Sequence, residues 1–269
     1  MTERVQRLRR ESVETRPYLS TERAELLTQF YASGAAEQVS VPVARAMALR
    51  HVLERRTIWI GDGELIVGER GPRPKATPTY PELCCHSLDD LRILHSRERT
   101  PFVVSDEARR VYAQQIIPFW RGRTIRERLF ALMSPAWHAA FEAGVFTEFM
   151  EQRAFGHAIL DDKIYHRGLL DFQREIRERR DALDLTTDPR GYEKLEEYKA
   201  MDIAIDAVVL FARRHADLAR QMAEADPARK AELGRVAEVC DRVPAHAPRD
   251  VHEALQAYWF VHLGVITEL

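Results

Sequence analysis

Apolar residues recur at helical spacing along most of the chain, and several of these segments start at residues that cap helices. Ser87 with Asp90 and Thr124 with Glu127 have the spacing of a capping box. Ser134 followed by Pro135 is typical of a helix N-cap and first turn. The same pattern predicts further helices over residues 20–32, 42–55, 189–225, 227–241 and 251–264. The chain is therefore expected to be mainly α-helical.

Residues 57–68 depart from this pattern. Apolar and β-branched residues stand on either side of Gly61-Asp62-Gly63, which predicts a short β-hairpin. Residues 68–82 follow with four prolines, so they are expected to be extended. Two interpretations of this long irregular stretch stay open: a functional loop, or a surface strap around the body.

Composition narrows the class of protein. The 269 residues are 45% apolar and 30% charged, as in a globular protein, and the formal net charge is -2. A near-neutral chain is not expected to be a dedicated nucleic-acid binder. The charged N-terminus, the lack of a long apolar run and the adjacent Cys84 and Cys85 predict a cytoplasmic protein without membrane contact. The apolar end YWFVHLGVITEL predicts a piece of a longer polypeptide.

Short catalytic motifs do not identify the chemistry. The sequence contains no G-x-S-x-G turn, no Walker loop and no G-x-G-x-x-G. Cys84, Cys85, His86 and His95 are metal-ligand types, but adjacent cysteines lack the spacing of a zinc site. Structural thiols and no metal site are therefore expected.

The segment Phe141–His157 has an unusual helical face if it is taken as one helix. That face combines two aromatic residues with a Met, an Arg and a His: Phe146, Phe149, Met150, Arg153 and His157. Polar groups on an apolar face either line a pocket or are satisfied by buried carbonyls and carboxylates. Both interpretations stay open from the residues alone.

Several long stretches resemble the N-terminal portion of glycyl radical enzymes, the pyruvate formate-lyase-like superfamily. In chain order they are GDGELIVGERG, TYPELCCHSLDDL, PFVVSDEARRVY, IIPFWRGRTIRERLF, FTEFMEQRAFGH and VPAHAPRDVHEALQAYWFVHLGVITEL. The resemblance covers about residues 5–269, and within the superfamily the chain is most similar to the trans-4-hydroxy-L-proline dehydratase group.

The resemblance implies a fold and a mechanism. Residues 1–269 would be the incomplete N-terminal portion of a pyruvate formate-lyase-type domain, a ten-stranded α/β barrel wrapped by helices. A radical S-adenosylmethionine activase installs a glycyl radical, which generates a thiyl radical that abstracts hydrogen from the substrate before water is eliminated. No segment here matches the radical glycine or the catalytic cysteine loop. The chain alone is therefore expected to be inactive, with no cofactor of its own. Its expected partners are the activase, the rest of the barrel, a second copy in a homodimer and a small-molecule substrate.

Two site residues follow from the resemblance. Phe149 and His157 match positions that line the substrate pocket in the dehydratase group, whereas choline lyase relatives have Tyr and Asp there. This favours a hydroxylated substrate such as trans-4-hydroxy-L-proline or a small diol. His157 would hydrogen-bond the departing hydroxyl or donate a proton to it. Phe155 replaces a Pro that is frequent in the family, which leaves the identity of the substrate open.

Two alternatives remain. In the first, the chain is a non-catalytic helical fragment or split subunit that binds a partner chain. In the second, the chain is part of an enzyme of another kind, a diol dehydratase or another C–C, C–N or C–S glycyl radical lyase. Sequence downstream of Leu269 would separate the first alternative from an enzyme.

Overall fold

The computed structural model describes residues 1–146 and 159–268, and most of them are helical. The α-helices are α1 Glu3–Glu14, α2 Glu22–Ala32, α3 Val41–Arg55, α4 Leu88–Ser96, α5 Asp106–Val111, α6 Ile117–Trp120, α7 Ile125–Leu132, α8 Pro135–Glu142, α9 Leu169–Asp181, α10 Gly191–Ala225, α11 Lys230–Arg242 and α12 Val251–Glu268. Two strands, β1 Tyr18–Ser20 and β2 Ala76–Pro78, pair in parallel. Within the described ranges, no helix is both long and apolar enough to span a lipid bilayer.

The predicted helix starts are confirmed where the side chains act as caps. The Ser87 hydroxyl accepts from the Asp90 amide at 3.1 Å, and the Thr124 hydroxyl accepts from the Glu127 amide at 3.0 Å. Both capping boxes are complete because each acidic side chain accepts from the amide of its capping residue. Asp250 caps α12 in the same way, since its carboxylate accepts from the Glu253 amide at 2.9 Å.

The main core lies between the long helix α10 and the helices packed around it. Helices α3, α9, α11 and α12 bury apolar faces against α10, and Phe211, Leu233, Phe260 and Leu263 are almost completely inaccessible to solvent. A 35-residue helix is about 50 Å long. The buried residues of α10 run mostly from Ala200 to Ala223, so packing against its neighbours stabilises most of its length.

A second core joins the N-terminal helices to the segment around Tyr112. Leu27 and Phe30 of α2 pack with Leu91, Tyr112 and Trp120. Residues Tyr112–Ile116 form a π-helical turn between α5 and α6. The Trp120 indole donates to the Thr28 hydroxyl at 2.8 Å, so its polar atom is satisfied inside this core.

The predicted β-hairpin at 57–68 is wrong. This segment contains no strand. Side chains from elsewhere in the chain bond to its backbone polar groups, among them Arg229, just before α11, and His252 of α12. Gln256 pairs with the backbone of Val67, and the Trp259 indole donates to the Gly68 carbonyl at 2.7 Å. Gly68 has φ +117°, and a Cβ there would lie 2.8 Å from the Leu263 side chain. Tertiary contacts therefore override the local strand pattern.

Candidate functional site

The two predicted site residues, Phe149 and His157, lie outside the described residues. Their segment can be examined at its two ends. The prediction of one helix over 141–157 is wrong at its start, because α8 ends at Glu142 and Gly144 has φ +71°. Phe146, the first residue of the predicted helical face, lies after this break. The other four residues of that face lie outside the described residues, so the face stays a prediction.

The N-terminal end of this segment is held by an aromatic cluster on the α7–α8 hairpin. The Phe146 ring lies 5.2 Å from Trp137 and 5.8 Å from Phe141, measured between centroids. Phe141 in turn meets the edge of Phe130 at 4.9 Å. Edge-to-face contacts of this kind stabilise aromatic pairs beyond the area that they bury. Phe146 is therefore fixed three residues before Phe149.

The hairpin is joined to the body by backbone contacts rather than by buried side chains. Neither α7 nor α8 has a buried residue. The Ile125 amide donates to the Glu82 carbonyl at 2.9 Å, and the Arg126 amide donates to the Leu83 carbonyl at 3.0 Å. The first turn of α7 is thus tied to residues 82–83, which also carry the Glu82 carboxylate described below.

The C-terminal end of the segment enters the main core. Ile159, two residues after His157, is buried with Ile164 and Leu169. Gly168 lies against the backbone of Ala245, where a Cβ would be 2.2 Å from the carbonyl oxygen. Residues 147–158 therefore connect two separately packed parts of the chain.

Buried arginines cap the C-terminal end of α12, and the sequence analysis did not identify them. Arg23 Nε donates to the Thr267 carbonyl at 2.6 Å, and its guanidinium binds the Glu82 carboxylate at 2.5 and 3.2 Å. Arg56 Nη1 donates to the Thr267 hydroxyl at 3.1 Å, and burial lowers its pKa to about 10. Cations at a helix C-terminus satisfy its free carbonyls and its dipole. Arg23 lies four residues before the buried Leu27, on the same face of α2. This spacing was the sequence signal that could have indicated a buried arginine.

His215 is a second buried polar residue that the pattern missed. It lies on α10 with no solvent exposure, and its Nδ1 is 2.9 Å from the Phe211 carbonyl oxygen. The rings of Phe211 and Phe260 flank it at 4.6 and 5.1 Å. Burial lowers its pKa to about 3, so the imidazole is neutral at pH 7 and Nδ1 is the donor.

Cys85 and Cys240 are not activated thiols. Burial raises the pKa of Cys85 to about 11, and it raises the pKa of the buried Cys240 well above its ordinary value. Neither is a thiolate near pH 7, which is the form that acts as a nucleophile or metal ligand. Among residues 1–146 and 159–268, no group of three or more His, Cys, Asp or Glu is arranged to hold a metal ion.

Comparison with known proteins decides the family. The profile described as "Pyruvate formate lyase-like" matches residues 1–269. The chain belongs to the pyruvate formate lyase-like family.

Members of the pyruvate formate lyase-like family with curated activities resemble the chain along nearly its whole length. It is 49% identical over 269 residues to the trans-4-hydroxy-L-proline dehydratase of Clostridioides difficile, which covers 99% of this chain and 34% of that protein. It is 35% identical over 261 residues to the isethionate sulfite-lyase of Nitratidesulfovibrio vulgaris, covering 93% of the chain and 31% of that enzyme. The chain thus spans about a third of the length of these relatives.

Solved structures of the family share the fold. The C. difficile hydroxyproline dehydratase, crystallised with trans-4-hydroxy-L-proline bound, superposes with a TM-score of 0.94 at 48% identity, over 100% of this chain and 34% of that one. A glycyl radical enzyme from Archaeoglobus fulgidus superposes with a TM-score of 0.86 at 32% identity, over 97% of this chain and 34% of that one. The expected fold is confirmed: a mainly α segment of the type of enzyme whose complete architecture is a ten-stranded α/β barrel.

Proposed function

We propose that the chain is the N-terminal part of a glycyl radical dehydratase that removes water from trans-4-hydroxy-L-proline or a closely similar hydroxylated substrate. The observation that carries this proposal is the 49% identity to the C. difficile dehydratase over 99% of the chain. The isethionate sulfite-lyase is less similar, at 35%. The gap between these identities favours elimination of water over cleavage of a C–S bond.

In this proposal the chain supplies one wall of the substrate pocket. Phe149 gives an apolar surface against the substrate ring, and His157 directs a ring nitrogen at the hydroxyl that leaves. The protein radical, when installed, supplies the abstraction of a hydrogen atom from a substrate C–H bond. A protonated His157 then gives its proton to the departing hydroxyl, which leaves as water with the electron pair of the C–O bond, and the imidazole becomes neutral. The substrate radical carries the positive charge until it releases a proton, and it regains the abstracted hydrogen atom to give the product. One positioned acid of this kind contributes about 10²–10⁴-fold to a rate.

The anchors at both ends of residues 147–158 support this role. Phe146 is packed against Trp137 and Phe141, and Ile159 is buried in the main core. Binding and catalytic groups act best when packing fixes their supports. The hairpin α7–α8 would therefore position Phe149, and the main core would position His157.

The proposal also covers the rest of the enzyme. Residues 1–269 form part of one pyruvate formate-lyase-type domain, and the radical glycine and catalytic cysteine lie in sequence outside this range. A radical S-adenosylmethionine activase generates the radical. The complete protein acts in the cytoplasm as a homodimer, and residues 1–269 alone do not turn over substrate.

The test is substrate turnover by the complete protein that contains residues 1–269. It would be activated anaerobically and supplied in parallel with trans-4-hydroxy-L-proline, glycerol, 1,2-propanediol and isethionate. Dehydration of trans-4-hydroxy-L-proline at the highest kcat/KM is expected, and residues 1–269 alone serve as the inactive control. A higher kcat/KM for a diol or isethionate would contradict the substrate assignment. A reading frame that stops after Leu269, with a chain that binds a partner and forms no radical, would support the non-catalytic alternative.

A further inference from the structure

Helix α1 lies on the body of the protein without burying a side chain. Arg7 and Leu8 are half-buried, and the other residues of Glu3–Glu14 are exposed. Helices in proteins normally keep their place by burying an apolar face. A different interaction must therefore hold α1.

Two arginines of α1 supply that interaction. Arg7 Nη1 lies 2.6 Å from the Asp62 carboxylate, and Arg7 Nη2 donates to the Asp62 carbonyl at 3.2 Å. Arg4 Nη2 lies 2.5 Å from the Glu232 carboxylate. These contacts join α1 to two separate places, the turn at residues 61–63 and helix α11.

The turn Gly61-Asp62-Gly63 is the seat for Arg7. The sequence predicts a hairpin turn here, but the turn joins no strands in the structure. Gly63 has φ +79°, and a Cβ there would lie 2.5 Å from Arg7 Nη2. The backbone conformation therefore favours a glycine, and the absence of a side chain leaves room for the guanidinium.

The body retains a counter-charge when α1 leaves. Arg229 Nη2 lies 2.8 Å from the Glu232 carboxylate, and Arg229 Nη1 lies 3.4 Å from the Asp62 carboxylate. Both acidic partners of α1 thus have a second cation. Release of α1 leaves neither carboxylate as an isolated buried charge, which keeps the cost of release small.

A groove lies between α1 and the body. It has a volume of about 650 Å³, and its walls include Leu8 and Glu11 from α1 and Glu64, Glu69 and Trp259 from the body. The chain after α1 enters β1, which pairs with β2. This end of α1 is fixed, so loss of the Arg4 and Arg7 contacts would let the helix swing away from the groove.

We propose that α1 is a strap held by ion pairs, which rising ionic strength releases to open the groove beside Trp259. The side chains of Arg4 and Arg7 are 40% and 43% exposed, so their ion pairs are within reach of salt. Exposed pairs of this kind are individually weak and are screened over about 3 Å at 1 M salt. The main core is apolar and does not respond in this way.

The test is amide hydrogen exchange of residues 3–14 at 0.05 M and 1 M NaCl. Exchange is expected to quicken about fivefold or more in high salt, while α10 is unchanged. Arg7→Glu should produce the same increase at low salt, and Arg7→Glu combined with Asp62→Arg should reverse it. Arg9→Glu makes the same charge change at an exposed residue of α1 and is the matched control.

Several results would overturn the proposal. One is a rate of amide exchange in residues 3–14 that changes neither with salt nor with Arg7→Glu. Another is an exchange rate in Arg9→Glu as high as that in Arg7→Glu. Quenching of Trp259 fluorescence by acrylamide, obtained by difference from Trp259→Phe, should increase with release. Unchanged quenching after release would refute the opening of the groove.

Discussion

The side-chain amide of Gln256 pairs with both backbone polar groups of Val67. The Val67 amide donates to Gln256 Oε1 at 2.8 Å, and Gln256 Nε2 donates to the Val67 carbonyl at 2.8 Å. Both residues are fully buried. One helix side chain therefore does for Val67 what a neighbouring strand would do in a sheet, and residues 57–68 need no partner strand.

Gln256→Leu should strongly destabilise the fold. The leucine fills a similar volume, but it leaves the buried amide and carbonyl of Val67 without partners. Each unpaired group costs about 1–3 kcal/mol. The free energy of unfolding in urea should fall by about 2–5 kcal/mol. Gln115→Leu, at an exposed position, is the control and should change it by less than about 0.5 kcal/mol. Equal stability of the two variants would contradict the role given to Gln256.

His215 should make the protein acid-sensitive. Its pKa in the folded state, about 3, is below the ordinary value of 6.5 because the imidazole is buried, with Arg56 and Arg214 adding repulsion. The unfolded chain therefore binds an extra proton below pH 6.5. Above pH 6.5 the neutral His215 does not reduce the free energy of unfolding. As the pH falls from 6.5 towards 3, protonation of the unfolded chain lowers the free energy of unfolding by up to about 1.4 kcal/mol per pH unit.

His215→Leu removes that titration. Between pH 6.5 and 4.5 the free energy of unfolding should fall less steeply in the variant than in the parent protein, as measured by urea titration at each pH. His246→Leu, at an exposed position, should keep the parental slope. Parallel pH profiles for the parent and His215→Leu would show that the imidazole is not held neutral.

The junction at the end of α12 should be sensitive to the loss of one partner. Arg23→Leu leaves the Glu82 carboxylate and the Thr267 carbonyl without the guanidinium that they now bind. Removal of one member of a buried ion pair costs about 3–5 kcal/mol. Chemical denaturation should detect this loss, and the double variant Arg23→Leu/Glu82→Leu should recover part of it. No recovery would mean that the carbonyl contacts, and not the ion pair, dominate.

Local signals allowed the caps and much of the helical pattern to be predicted from sequence. The side chains of Ser87, Thr124 and Asp250 bond to amides within three residues, so their geometry is encoded locally. The long helix was predicted from residue 189 to residue 225 and is observed over Gly191–Ala225. The difference at its start is within the usual uncertainty of helix ends.

Long-range contacts explain what the sequence did not reveal. The partner of Val67 is 189 residues away in the chain, and the partner of Arg23 at the end of α12 is 244 residues away. Neither spacing leaves a local pattern. The single helix assumed over 141–157 failed because Gly144 adopts φ +71°. The assignment of Phe149 and His157 to the substrate pocket came from family resemblance, and it stays a prediction.

His157 provides the most direct test of the proposed function. In the activated complete enzyme, spin content by electron paramagnetic resonance and dehydration of trans-4-hydroxy-L-proline would be measured on the same preparation of His157→Ala. Near-normal radical content is expected, with turnover reduced by about 10²–10⁴-fold. His246→Ala, at an exposed position, is the matched control and should retain turnover. Near-normal turnover in His157→Ala, or parallel loss of radical and stability, would contradict the account.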